Sequence, residues 1–448
     1  MSVSLARAAA FDILLRVERE SSYASELLHS SAYKSLPSPD LSLATELVMG
    51  VLRWRSRLDA DIATASSQPL SKLDLEILLA LRLALYQFLW LDRIPQRAAL
   101  HESVELVKRA RKRSAAPFVN AVLRKLSAAP RNPDAAADEA ASPETLAHAL
   151  AHPLWLVVRW TREYGLSAAH QICQHNQSIP KTAIRRREAD AEQQLNQEGI
   201  TLIPGALVSS ARRVEAGDIT KTQAFRAGRI VIQDEASQLV VALVGHGTKI
   251  LDCCAAPGGK TLAIADRNPE AAITAVELHP HRARLLQKLL KAHPSQSGRI
   301  QIVTADAQHL PVSRQFDRVL ADVPCSGTGT LARNPEIKWR LTVDDLAELP
   351  QRQLAILHSA LAQVAPGGRL IYSTCSLEKE ENENVVEPAL SGNNSFRLLE
   401  CRKELNRLKS AGELSWPDPA SLTRGPYLRT IPGIHPGDGF FAAILEKI

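Results

Sequence analysis

Aromatic side chains are scarce in this chain, only 4% of 448 residues, and methionine occurs twice. Any core must therefore be built mainly from Leu, Ile, Val and Ala. Six cysteines are too few for a disulfide framework, and none form a Cys-x-x-Cys pair, so a structural zinc site is not expected. The 21 glycines follow no three-residue period, which excludes a collagen-like rod. No stretch reaches the roughly 20 nearly uncharged residues of a bilayer span. The most apolar one, Leu73 to Leu91, carries Asp74, Glu76, Arg82 and Gln87 and reads as a buried helix. The first residues reach Arg7 and Asp12 without an apolar signal core. These absences lead us to expect a cytoplasmic protein with no membrane partner, whose reduced thiols serve packing or chemistry.

What is present fits a folded chain. Hydrophobic residues make up 45% and charged residues 23%, which excludes extensive disorder. Lys and Arg number 54 against 48 Asp and Glu, a net 54 − 48 = +6. The excess is clustered. Lys108-Arg109-Ala110-Arg111-Lys112-Arg113 holds five cations in six positions, and Arg185-Arg186-Arg187 makes a second group. Such runs read either as solvated faces or as phosphate-contacting surfaces.

Residues 1–128 read as an all-α domain, with apolar-periodic runs over 5–19, 40–65, 72–91, 98–113 and 117–127. Pro117 suits the first turn of a helix. The Ala/Pro/Asp stretch 129–143 lacks large apolar residues and reads as a linker. Residues 144–240 predict a small α+β subdomain, with strands at 181–187 and 199–203 around a helix at 191–198. From 241 to 448 strand-like and helical runs alternate, the pattern of a doubly wound, Rossmann-like α/β sheet. Strands are expected at 249–254, 273–278, 300–305, 316–322 and 368–373, with a late or edge strand at 439–445.

The chemistry-bearing motifs sit at expected strand ends. Asp252-Cys253-Cys254-Ala255-Ala256-Pro257-Gly258-Gly259-Lys260 leaves the first of these strands and opens a helix, where ligands of such sheets bind. It is neither a Gly-x-Gly-x-x-Gly nor a Walker loop. Its small apolar residues suit an adenosine with a methionine tail better than a triphosphate. Glu277 ends the next strand, placed to accept hydrogen bonds from ribose hydroxyls. Asp322-Val323-Pro324-Cys325-Ser326-Gly327 ends a later strand, where exocyclic-amine methylases place Asp/Asn-Pro-Pro-aromatic. Ser373-Thr374-Cys375-Ser376 ends the following one. A lone cysteine there would usually be packing, but two at one functional edge point to chemistry. C5 of cytosine is too weak a nucleophile to take a methyl group unaided. A thiolate adding at C6 makes the ring an enamine, and an acid such as Asp322 near N3 and the amino group assists. Spacing alone leaves open which thiol attacks.

These motifs resemble those of the RNA cytosine-C5 methyltransferase family. Asp252 to Lys260 is similar to its cofactor motif, and Asp322 to Gly327 and Thr374-Cys375-Ser376 to its two cysteine motifs. Gln233-Asp234-Glu235-Ala236-Ser237, Asn334-Pro335 with Lys338-Trp339, and Asp438-Gly439-Phe440-Phe441 are similar as well. The resemblance implies Cys375 as the C6 nucleophile and Cys325 as the residue assisting release. It implies an S-adenosyl-L-methionine site lined by Cys254, Ala255, Ala256, Pro257, Gly258, Gly259, Lys260, Glu277, Asp306 and Asp322. Asp306 would lie on the adenine side, and Asp322 between cofactor and cytosine.

The N-terminal part resembles the NusB RNA-binding domain at Ile94-Pro95, Ala99-Leu100-His101-Glu102 and Ala116 to Arg124. The combination is similar to bacterial 16S ribosomal RNA cytosine-C5 methyltransferases of the Sun or Fmu type. It implies rRNA as partner, not DNA, and a monomer is expected. Where relatives commonly read Arg-x-Asn, this chain has Arg185-Arg186-Arg187, which leaves those RNA contacts open. Two other readings are a non-catalytic NusB-like binding or assembly factor, and the same chemistry on tRNA.

Overall fold

The computed structural model describes residues 3–20, 22–33, 35–128, 141–291, 298–311 and 315–448. Contacts divide the chain into two compact units, residues 1–179 with 331–340, and residues 180–330 with 341–448. Most of the expected linker, residues 129–140, lies outside the described residues. Its last positions start a helix, Pro143–Ala149, capped by Ser142.

The first unit is helical. Its principal helices are Leu5–Glu20, Ser38–Ala65, Leu75–Trp90, Gln96–Arg109 and Ala116–Ala128. Leu75–Trp90 is apolar nearly all round and is buried throughout from Leu79 to Gln87, as such a helix must be. The charges it takes inside are paired. Arg82 donates from Nε and an Nη to the two oxygens of Asp59, both at 2.7 Å. Pro117 occupies the second position of its helix, where no N–H is needed. Helices Pro143–Ala149, Leu154–Tyr164 and Leu166–Gln177, expected to open a middle subdomain, belong to this unit.

The basic run 108–113 is partly neutralised: Lys108 pairs with Glu105, Arg109 with Asp12 and Lys112 with Asp74. These are exposed pairs of small net worth, open to exchange for phosphate. Residues 331–340, which carry the Asn334-Pro335 and Lys338-Trp339 motif, belong to the helical unit. Lys338 is wholly buried and donates its ammonium to the Arg53 carbonyl at 2.9 Å, and Trp339 donates to the Leu52 carbonyl at 2.6 Å.

The second unit holds two sheets. β1 (Ala183–Arg186), β2 (Thr201–Pro204), β3 (Ala211–Ala216) and β4 (Ile230–Ile232) pair antiparallel in the order β2-β3-β1-β4. Arg185 and Arg187 do not form a free phosphate surface. Both bond Asp266 of the helix Gly259–Arg267, at 2.7 and 2.8 Å, and Arg186 bonds Glu192. The large sheet contains β5 (Lys249–Asp252), β6 (Ala272–Glu277), β7 (Ile300–Thr304), β8 (Phe316–Asp322), β9 (Val364–Thr374), β10 (Phe396–Leu399), β11 (Thr423–Arg424), β12 (Tyr427–Thr430) and β13 (Phe440–Lys447). Its order is β11-β12-β13-β9-β8-β5-β6-β7, with β10 also on β13.

From β9 to β7 the pairing is parallel, as expected of a Rossmann-like sheet. The chain winds from β5 outward to β7, then returns to β8 on the other side of β5. That makes a switch point between β5 and β8, where such sheets bind ligands. β13 is not an edge strand. It lies inside the sheet, antiparallel to β9 on one side and paired with β12 and β10 on the other. Residues Phe440 to Leu445 are buried on both faces, which is why they show no apolar alternation.

Candidate active site at the carboxyl edge of the sheet

Four strand ends meet at the switch point. β5 ends at Asp252, and the turn Cys253–Gly258 leads into the helix Gly259–Arg267. The turn is tied down by its backbone: Cys253 N–H donates to Leu320 O, and Ala255 N–H to Val276 O. Gly258 sits at φ +111°, and a Cβ there would lie 2.5 Å from Leu286 and 2.9 Å from Leu289. A Cβ on Gly259 would meet nothing within 4 Å. The two glycines thus serve different needs. The first satisfies backbone conformation and packing, and the second faces open space.

Asp252 is fully buried. Its Oδ2 accepts from Thr261 Oγ1 at 2.7 Å, while Oδ1 has no partner. Burial pushes its carboxyl up to about 6, the Thr261 hydrogen bond opposing and the Asp322 charge adding. Glu277, at the end of β6, is buried and accepts from the backbone of His279 at 2.9 Å. Arg282 lies 4.0 Å from its other oxygen and donates to Ala256 O at 3.1 Å, linking this acid to the glycine turn. Asp306 follows β7 and caps a short helical turn by accepting from Gln308 N at 2.9 Å. An unpartnered buried acceptor, a second buried acid on the next strand and the open face of Gly259 fit a cofactor with an ammonium and a ribose.

β8 and β9 run parallel with Asp322 opposite Ser373. This register carries the two cysteine motifs out side by side, and Cys325 Sγ and Cys375 Sγ stand 3.4 Å apart. Asp322 Oδ1 accepts from Ser373 Oγ and Oδ2 from Lys260 Nζ, both at 2.7 Å. Lys260 also lies over the Phe440 ring at 5.1 Å. The structure therefore brings Lys260, Asp322, Cys325 and Cys375 into one cluster, with Asp252 and Glu277 on the neighbouring strand ends.

The electrostatics separate the two thiols. The hydrogen bond to Cys375, then burial and the charges of Cys375 and Glu381, push the Cys325 thiol well above its ordinary range. Two sulfurs this close do not both ionise, so Cys325 keeps its proton. Burial alone would lower the Lys260 ammonium, but Asp322, and then Cys375 and Asp252, raise it instead. Lys260 thus keeps its positive charge in the neighbourhood of the thiol pair. Burial pushes the thiols of Cys253 and Cys254 up, so neither is a nucleophile at neutral pH. Nothing in the sequence pairs Lys260 with Asp322 or Phe440. The only sequence signal was that all three fall in motifs at strand ends or starts.

A Rossmann-like sheet with this turn and these acids defines a methyltransferase. Residues 239–446 match the family described as 16S rRNA methyltransferase RsmB/F, and residues 4–128 match the NusB family. The probable ribosomal RNA small subunit methyltransferase B of Bacillus subtilis is 34% identical, covering 100% of both chains. Ribosomal RNA small subunit methyltransferase B of Vibrio cholerae is 31% identical over 93% of this chain and 92% of its own. A solved methyltransferase homologue from Pyrococcus horikoshii superposes with a TM-score of 0.55 at 26% identity, covering 67% of this chain and 96% of that one. The chain belongs to the RsmB/F family of 16S rRNA methyltransferases and carries a NusB domain. It is an S-adenosylmethionine-dependent methyltransferase of ribosomal RNA. Among the described residues no helix is long and apolar enough to cross a membrane.

The two glycines are separable by experiment. Gly258→Ala forces a left-handed alanine into contact with Leu286 and Leu289, and should cost about 2–4 kcal/mol of stability. Gly259→Ala should leave the melting temperature unchanged and weaken cofactor binding in a titration. Equal stability of both variants contradicts this account.

Proposed function

We propose that the enzyme methylates C5 of a cytosine in 16S rRNA through a covalent bond between Cys375 and C6. The observation that carries this reading is the 3.4 Å separation of the two thiols at adjacent strand ends, beside the Lys260–Asp322 pair. The likeness to ribosomal RNA small subunit methyltransferases B favours small-subunit ribosomal RNA over tRNA. The reaction belongs in the cytoplasm, where rRNA matures and thiols stay reduced.

Cys375 attacks as the thiolate, with the Lys260 ammonium supplying the positive field. Its electron pair forms the S–C6 bond, and the ring becomes an enamine that is nucleophilic at C5. Asp322, held by Lys260 and Ser373, is an acceptor suited to the exocyclic amino group and so orients the ring. S-adenosylmethionine, when bound, supplies the electrophilic methyl group for C5. Cys254 to Lys260, Glu277, Asp306 and Asp322 would hold it, with Asp252 receiving its ammonium. Loss of the C5 proton to a base then returns an electron pair to the C5–C6 bond and expels the Cys375 thiolate. Cys325 assists that departure. Because the ring must be reached from its faces, the target cytosine is unpaired or flipped out.

Cofactor labelled in its methyl group and unmodified 16S rRNA test the reading. Label should appear at C5 of cytosine, and label only on exocyclic nitrogens contradicts it. Cys375→Ala should abolish turnover, whereas Cys325→Ala should accumulate a denaturation-resistant RNA–enzyme adduct. Adduct-free, equal loss in both variants counts against the separate roles.

A pH series tests the cofactor end. Asp252 titrates near 6, so its carboxylate is present above that pH and lost below it. Affinity for the cofactor should be flat above about pH 6 and fall by up to about tenfold per unit below it. Calorimetric titration at pH 5 and 7 measures this. Asp252→Asn should bind weakly at both values, and a wild-type affinity that is constant from pH 5 to 7 contradicts the assignment.

A further inference from the structure

We propose that Glu381 is a positioning residue that holds the two cysteine loops at their working separation. The inference rests on the two-thiol reading above. Glu381 lies in a short helical turn, Lys379–Glu381, after β9 and is wholly buried. Ser326 and Ser376 directly follow the two cysteines, and both reach this one carboxylate. Ser326 donates its backbone N–H to Oε1 at 2.8 Å and its hydroxyl to Oε2. Ser376 donates its hydroxyl to the same Oε2. The two serine oxygens are 3.0 Å apart, the same lateral spacing problem that the sulfurs solve one residue earlier.

The bracket extends further. Gln353 Nε2 donates to Glu381 Oε1 and to the carbonyl of Pro324, the residue before Cys325, both at 2.9 Å. Tyr372, within β9, donates its hydroxyl to the Glu381 carbonyl at 2.6 Å. Asn382 donates to the Ser376 carbonyl at 3.0 Å and accepts from Thr374 Oγ1 at 2.6 Å. Residues on both sides of each cysteine are thus fixed, and Glu381 is bonded by both loops, which also meet directly through Gly329 N–H to Cys375 O and Leu377 N–H to Thr328 Oγ1, both at 2.9 Å.

A buried carboxylate costs several kcal/mol unless it is fully hydrogen-bonded. Neutral packing would tie two loops together at less expense. What a charge with four donors adds is directional hold on both loops at once. Its negative field also opposes ionisation of Cys325, in line with the separation of the two thiols. Since misplacement by about 1 Å costs on the order of a hundredfold in rate, relaxing this bracket acts on the chemical step and leaves binding intact.

The test uses the full chain and two readouts. Glu381→Ala should lower kcat about a hundredfold, with the KM for 16S rRNA and the cofactor affinity within about twofold of wild type. Glu381→Gln keeps the shape and the Ser326 N–H bond but cannot accept from both hydroxyls, and should lower kcat about tenfold, a partial rescue. If the alanine variant fails to fold, the glutamine variant decides alone. The second readout is bridging of the two thiols by phenylarsine oxide, which needs adjacent sulfurs and releases one water. Wild type should bind one equivalent in a manner lost in Cys325→Ala, and both Glu381 variants should bridge at least tenfold more slowly. Wild-type kcat and bridging in folded Glu381→Gln overturn the proposal. Slowed bridging in the variants, in an enzyme whose wild type puts no methyl on C5, leaves the bracket standing and removes the reaction reading instead.

Discussion

The parallel pairing of β8 with β9 is the constraint on which the site depends. Its register sets Asp322 opposite Ser373, and every later contact in the cluster follows from that one-residue alignment. A parallel ladder ends both strands at the same edge, so the loops that leave them start side by side. Cys325 and Cys375 lie 50 positions apart in the chain and meet at 3.4 Å. The intervening helix Asp345–Leu361 supports the first of these loops, Gln353 donating to the Pro324 carbonyl at 2.9 Å.

Burial then turns proximity into chemistry. In water two thiols at this distance would behave nearly alike. Here Cys375 and the field of Glu381 hold the proton on Cys325, while Asp322 and Cys375 hold the proton on Lys260. The Lys260 ammonium is itself stabilised by Asp322, so one ion pair serves both the thiol pair and the acid meant for the cytosine ring. β13, running antiparallel to β9, contributes Phe440 beneath that ammonium. Removing either Lys260 or Asp322 leaves a half-buried charge without its partner, which is costly away from bulk water.

Much of this was legible in the chain alone. Helical periodicity in the first 128 residues and strand-helix alternation after 241 carry the fold class, because both periods follow from which face is buried. The glycine turn, the acids and both cysteines were locatable because functional residues of such sheets sit at strand ends. Three things were not legible. β13 is buried on both faces, so its run of Phe440 to Leu445 lacks the alternation that marks a half-buried strand. Arg185 and Arg187 looked like a basic surface, but charge counting cannot see Asp266 some 80 positions away. The same holds for Glu381, which lies in an acidic stretch, Glu378 to Glu383, that reads as solvated until the fold turns it inward.

The most direct measurement identifies the sulfur that carries the nucleotide. RNA bearing 5-fluorocytosine cannot lose a proton from C5, so a covalent complex formed with it stalls before release. Proteolysis and mass spectrometry of that complex should find the nucleotide on the peptide containing Cys375. A nucleotide on Cys325, or a reaction that proceeds with no attachment to either thiol, contradicts the account.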